Sequence, residues 1–195
     1  LFSYISKTNN NSTLNLQHGA EIMAAPMSYD IQTWGWTTDA IIRPFKGFEL
    51  HALFTYQKPT YKKYETSVTF SDGYTGNIVA EIPQVLIELD PSYMITPDLK
   101  LWTSFRYFSK TYANINDAYY FNGRWESFGG VDWKVNKMLN LGCTVVNFLN
   151  QTGAKGSIAG AELITKEDAG NYSNCLMTGS YLRPLTVEFT AKLNF

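Results

Sequence analysis

Leu185-Thr186-Val187-Glu188-Phe189-Thr190-Ala191-Lys192-Leu193-Asn194-Phe195 alternates without a break, odd positions apolar and even positions polar or charged. A period of two belongs to a β-strand, whose successive side chains point to opposite faces. The segment therefore has one greasy face and one wet face. Its eleven residues also meet the roughly 9–11 that a tilted strand needs to cross a bilayer.

Working upstream, the same reading recovers six more strands. Ile31–Arg43 sets Trp34, Trp36, Ala40 and Ile42 against Asp39 and Arg43. Phe48–Gln57 sets Phe48, Leu50, Ala52, Phe54 and Tyr56 against Glu49 and His51. Val85–Ile95, Leu99–Lys110, Ser127–Val135 and Leu139–Leu149 follow the same rule, and Phe2–Ser6 reads as the short tail of an eighth strand. Twelve charges lie in these strands: Asp39, Arg43, Glu49, Glu88, Asp90, Lys100, Arg106, Lys110, Asp132, Lys134, Glu188 and Lys192. Within each strand they share one parity, an agreement that alone has chance odds of about one in sixty, and that parity is always opposite to the apolar one. A one-residue slip would carry every charge to the apolar side, so the register is strongly specified.

The connections alternate in length. Pro44-Phe45-Lys46-Gly47, Thr96-Pro97-Asp98 and Asn136-Lys137-Met138 are tight turns built from the residues turns favour. Residues 58–84, 111–126, 150–184 and 7–30 read as long loops. Short turns at one end of a sheet and long loops at the other are the asymmetry of a membrane barrel. The expected fold class is all-β: an antiparallel up-and-down transmembrane β-barrel, of which seven to eight strands are present. A soluble antiparallel sandwich also alternates, but its strands run about 5–6 residues, shorter than these. Pro91 interrupts Val85–Ile95, where a central proline removes a ladder donor. Either a bulge or a division into two pieces would accommodate it.

Composition narrows the function classes. The chain has 195 residues, a formal net charge of −1, 15% aromatic and only 17% charged residues. There is no basic surface of the kind nucleic acid requires, and no apolar run approaches the ~18–20 residues of a spanning helix. Residue 1 is Leu, and no basic and apolar leader follows it. His18 and His51 are isolated in sequence and the Cys/His spacing of a zinc site is absent. Lumen-facing Glu88 with Asp90, and Asp132 with Lys134, read as a solvated, salt-bridged wall rather than a catalytic pair. No enzyme activity, metal or cofactor is expected. Cys143 falls mid-strand and Cys175 in a long loop, so two free thiols are expected.

Several stretches resemble the barrel of TonB-dependent outer-membrane receptors of the kind found in Bacteroidota. They are Gly47–Pro59 after Arg43-Pro44-Phe45-Lys46, Leu89-Asp90-Pro91-Ser92-Tyr93, Phe105-Arg106-Tyr107-Phe108, Asn147-Phe148-Leu149-Asn150-Gln151, and the terminal Phe195. The resemblance implies that residues 1–195 are the C-terminal part of a twenty-two-stranded barrel, with the plug domain and N-terminal strands absent. It implies a bacterial outer-membrane location and, for the whole receptor, active uptake of a scarce nutrient such as a siderophore, cobalamin or glycan. Implied partners are outer-membrane lipid, the remainder of the receptor chain, TonB through the missing N-terminal region, and the barrel assembly machinery, for which Phe195 would be the assembly signal. Two alternatives stand beside this reading: a complete eight-stranded barrel with an adhesion or structural role, and a soluble β carbohydrate-binding module.

Candidate ligand contacts lie in the long loops, because loops on a rigid scaffold carry function. They are Tyr61, Tyr64, Tyr74, Tyr112, Tyr119, Tyr120, Phe121 and Trp125. Trp34, Trp36, Tyr107, Trp133 and Phe195 share the apolar parity and read as an interfacial girdle rather than as sugar platforms.

Overall fold

The computed structural model describes residues 1–18, 21–66, 75–156, 164–172 and 180–194. Eight strands form one antiparallel sheet in chain order. They are β1 (Phe2–His18), β2 (Glu21–Ile42), β3 (Phe48–Thr66), β4 (Val85–Thr96), β5 (Leu99–Phe108), β6 (Arg124–Lys134), β7 (Leu139–Val146) and β8 (Thr186–Leu193). Each strand pairs with its neighbours in sequence, the up-and-down arrangement. Among the described residues β1 does not pair with β8, so the sheet is open. No helix among them is long and apolar enough to cross a membrane.

The pairing register agrees with the charge parity. One row of direct partners runs Phe48, Tyr93, Leu101, Val131, Cys143, Phe189 across six strands. A row on the opposite face runs Leu53, Glu88, Arg106, Glu126. Side chains directly opposite in a ladder share a face, so the apolar parities of all strands fall on one side. That side stays open to its surroundings: Trp36 is 53% and Phe189 82% exposed.

The three tight turns close as their residues require. Gly47 has φ +88°, and a Cβ there would meet the Met94 carbonyl at 3.1 Å and the Tyr93 ring at 3.3 Å. Asp98 donates its N–H to Thr96 Oγ1 at 3.3 Å. Asn136 Oδ1 accepts the N–H groups of Met138 (2.8 Å) and Leu139 (2.9 Å).

Residues 7–18 and 21–30 correct the sequence reading, which took 7–30 as a loop: they are strand. β1 is 17 residues long rather than a five-residue stub, and β2 begins at Glu21, so the two make a tall hairpin with His18 opposite Glu21. The stretch Asn9-Asn10-Asn11-Ser12-Thr13 has no alternation, and a ladder does not need one, since every non-proline residue supplies an N–H and a C=O. The register shifts once in each ladder of β2, at Lys7/Asn10 and at Asp30/Ile31. Asn9, at φ +54°, donates its N–H to Asp30 Oδ1 at 2.8 Å there. β3 likewise continues to Thr66, into the expected 58–84 loop. β7 ends early, at Val146, because Asn147 (φ +54°) and Asn150 (φ +48°) turn the chain out of the sheet.

Pro91 needs neither a bulge nor a break. β4 runs unbroken, and Leu50 pairs with Pro91 in an unshifted register. Met94 N–H bonds to the Gly47 carbonyl, so even positions of β4 hydrogen-bond to β3 and odd positions to β5. The missing donor of Pro91 therefore faces β5, and the β4–β5 ladder skips Asp90 and Pro91.

The buried clusters lie at the long-loop end, where the upper parts of β2 and β3 meet the loops. Tyr61, Val79 and Ile115 pack together, with Met27, Tyr29, Ile31 and Ile82 around them. A second small cluster joins Ala113 to Tyr119, Phe121 and Ile164.

Candidate functional site

The polar face of the sheet is an ion-paired wall. Arg43 Nη2 lies 2.6 Å from Glu49 Oε2, and Arg106 Nη2 2.9 Å from Glu88 Oε1. His51 bridges three strands, with Nε2 2.7 Å from Asp39 Oδ1 and Nδ1 3.4 Å from Asp90 Oδ2. Charges of opposite sign placed in neighbouring strands stay soluble in a wet interior without repelling one another. This arrangement binds the wall to itself, and His51 is spent on carboxylates. Among the described residues no His, Cys, Asp and Glu side chains are grouped to hold a metal ion.

Towards the long-loop end the wall changes character. Phe108 and Phe128 stand on the polar parity, against the rule of their strands. Each is covered by a guanidinium: Arg124 lies 4.5 Å from the Phe108 ring centre and Arg106 5.3 Å from that of Phe128. Such cation–π contacts strengthen as they are desolvated, and Arg124 is 9% exposed. Its Nε is 3.2 Å from Glu126 Oε1. The signal for this site was available as two off-parity phenylalanines with arginines in facing strands; reading only for alternation passes over it.

Above the wall, asparagine side chains join the long loops into a cap. Asn77 Nδ2 donates to the Ile115 carbonyl at 2.9 Å. Asn114, 2% exposed, donates to the Ile164 carbonyl at 3.0 Å and accepts the Ala118 N–H at 2.9 Å. Asn116 donates to the same Ile164 carbonyl at 3.1 Å. Asp117 accepts the Ile78 N–H, and burial pushes its carboxyl above the usual range.

The aromatics expected in the loops separate into four groups. Tyr61 is 4% exposed, edge-on to Tyr29 at 5.6 Å, and serves as the centre of the loop core. Tyr119 and Phe121 are partly buried in the second cluster. Tyr120 is exposed and, with Tyr112, brackets the Lys110 ammonium, whose Nζ lies 4.9 and 4.7 Å from the two ring centres. Trp125 lies on the apolar face beside Tyr107 at 5.1 Å. Tyr64 is opposite Tyr29 in the β2–β3 ladder; its side chain, and Tyr74, Cys175 and Phe195, lie outside the described residues. Cys143 is a free thiol on the apolar face.

No family model matches the chain, and no curated protein matches it in sequence. Solved structures match its fold. The siderophore receptor PiuA of Acinetobacter baumannii has 14% identity and a TM-score of 0.64 over 86% of this chain and 25% of that one. The ferric yersiniabactin uptake receptor FyuA of Yersinia pestis has 11% identity and a TM-score of 0.65 over 100% of this chain and 30% of that one. The ferripyoverdine receptor of the Pseudomonas aeruginosa outer membrane, bound to ferripyoverdine, has 16% identity and a TM-score of 0.63 over 100% of this chain and 24% of that one. The chain thus spans about a quarter to a third of the length of these receptors, and it has the fold of part of their barrels.

Proposed function

We propose that this chain is a sector of the barrel of a TonB-dependent receptor in the bacterial outer membrane, and that the whole receptor takes up a ferric siderophore. The observation that carries the reading is the division of the sheet. One face is apolar row after row and the other is charged and ion-paired, with tight turns at one end and long loops at the other. A lipid-exposed wall around a wet lumen requires this division. Outward aromatics support it. Phe48 and Tyr56 on β3 are roughly 27 Å apart along the strand, or about 21 Å along the bilayer normal at a tilt of about 40°, which fits within the ~25 Å apolar band of an outer-membrane barrel. Siderophore is preferred to cobalamin or glycan because the matched structures are named for siderophore uptake. Further chain would complete the barrel, supply the plug and reach TonB; the assembly machinery would insert it. A complete eight-stranded barrel is disfavoured because, among the described residues, β1 and β8 do not pair.

The test is uptake of radioactive iron by cells that carry the full-length receptor as their only ferric-siderophore receptor, across a panel of siderophores. Uptake of at least one complex that stops when TonB is deleted is expected. A receptor folded in the outer membrane that admits none of them, or admits iron equally without TonB, contradicts the proposal.

A further inference from the structure

Asn122-Gly123 is the one asparagine–glycine step in the sequence. It lies between Phe121, which ends the short ribbon of Thr111–Tyr112 with Tyr120–Phe121, and Arg124, which opens β6. Neither residue belongs to a strand, and both are exposed.

Packing explains the glycine. The Tyr107 side chain of the neighbouring strand β5 lies against it: a Cβ at Gly123 would meet the Tyr107 hydroxyl at 2.8 Å and the Phe108 carbonyl at 3.2 Å. The glycine that this contact requires also leaves the peptide nitrogen after Asn122 without the steric shield that a Cβ provides. Among the described residues neither the Gly123 N–H nor the Asn122 carboxamide has a hydrogen-bond partner. Other asparagines at this end are held differently. Asn77, Asn114, Asn116 and Asn147 donate through Nδ2 to backbone carbonyls, and bulkier residues follow them: Ile78, Ile115, Asp117 and Phe148.

We infer that Asn122 is a modification site, deamidated spontaneously through a cyclic imide. The Gly123 nitrogen loses its proton to hydroxide and attacks Cγ of Asn122. A C–N bond forms, the Cγ–Nδ2 bond breaks, and the amide nitrogen takes a proton from water and leaves as ammonia. Water then opens the imide at either carbonyl, giving aspartate or isoaspartate. One water is taken up and one ammonia released, with no change of oxidation state. The product carries a new carboxylate. Residues 110–124 have Lys110, Arg124 and Asp117 as their charges, so the stretch goes from one net positive charge to none. Isoaspartate also lengthens the backbone by one carbon between the ribbon and β6. This chemistry goes beyond the uptake reading and does not depend on what the receptor carries.

The test incubates full-length receptor in isolated outer membranes at mildly alkaline pH in heavy-oxygen water, its folded state confirmed by heat-dependent gel mobility. The same receptor unfolded in guanidinium is incubated beside it. Both are digested at acid pH and their peptides weighed. In the folded receptor Asn122 should exchange its amide for a labelled hydroxyl at least about tenfold faster than Asn140 or Asn147, a barrier lower by about 1.4 kcal/mol. The rate should rise with pH, and both aspartate and isoaspartate should appear. Asn122→Gln, which would have to close a larger ring, should lose the modification. An Asn122 that stays an amide in the folded receptor, whether or not it converts in guanidinium, overturns the inference. Conversion to aspartate alone overturns the imide route.

Discussion

Asn147 joins three segments through one buried amide. It caps the end of β7, orders the turn to Gln151 and holds the chain at Arg183 just before β8. Alanine there would strand those partners and place a Cβ-bearing residue without an amide at φ +54°. Asn147→Ala should speed hydrogen exchange across residues 150–156 by roughly tenfold to a hundredfold, equivalent to about 1.4–2.8 kcal/mol. Asn147→Gly relieves the backbone but not the lost hydrogen bonds, so it should recover only part of that protection. Tyr61 offers a second test. It lies beyond the apolar band, and burial pushes its phenol from 10.0 up to about 12, partly offset by the Ala80 N–H. The folded state thus keeps its proton where the unfolded chain has lost it. Stability from this group is complete below pH 10.0 and is lost as pH rises through about 12. The tyrosinate absorbance difference between the native protein and Tyr61→Phe should rise near that upper value; a rise near 10 would mean an exposed phenol.

At the scale of the strand, parity carries the account. Val187, Leu141 and Ala52 lie on the apolar face, Thr186 and Thr144 on the polar one. Arginine at any of the first three should cost up to about 2–4 kcal/mol near the middle of the bilayer, and far less at the threonines. The readout is the folded fraction of full-length receptor by heat-dependent gel mobility; equal losses at both parities would sink the assignment of faces. The same parity marks what was legible in the sequence. Where a strand has one dry and one wet face, as in β8, alternation reveals it together with its register. The upper hairpin of β1 and β2 was not legible, because Asn9–Thr13 pair through backbone groups that leave no pattern in residue type. At the loop end, the aromatics were visible as aromatics, but their roles were not. Tyr61 became core and Trp125 joined the outward face because β3 and β6 run into the stretches that read as loops, which puts both residues on strands.

On the scale of the molecule, the sheet presents an apolar face to its surroundings and, among the described residues, leaves the outer edges of β1 and β8 without strand partners. Unpaired strand edges cost several kcal/mol for each group left unsatisfied in hydrocarbon. Eight strands can close into a narrow barrel, and β1 at 17 residues is long enough to line one wall, so length alone does not prevent closure. The distinction between a sector and a complete barrel rests on whether those two edges ever meet. Refolding residues 1–195 in detergent micelles, and comparing unheated with heated samples on a gel, tests this most directly. The account predicts aggregates or unfolded chain with no band whose mobility depends on heating. A compact, heat-modifiable monomer would contradict it and establish a small closed barrel instead.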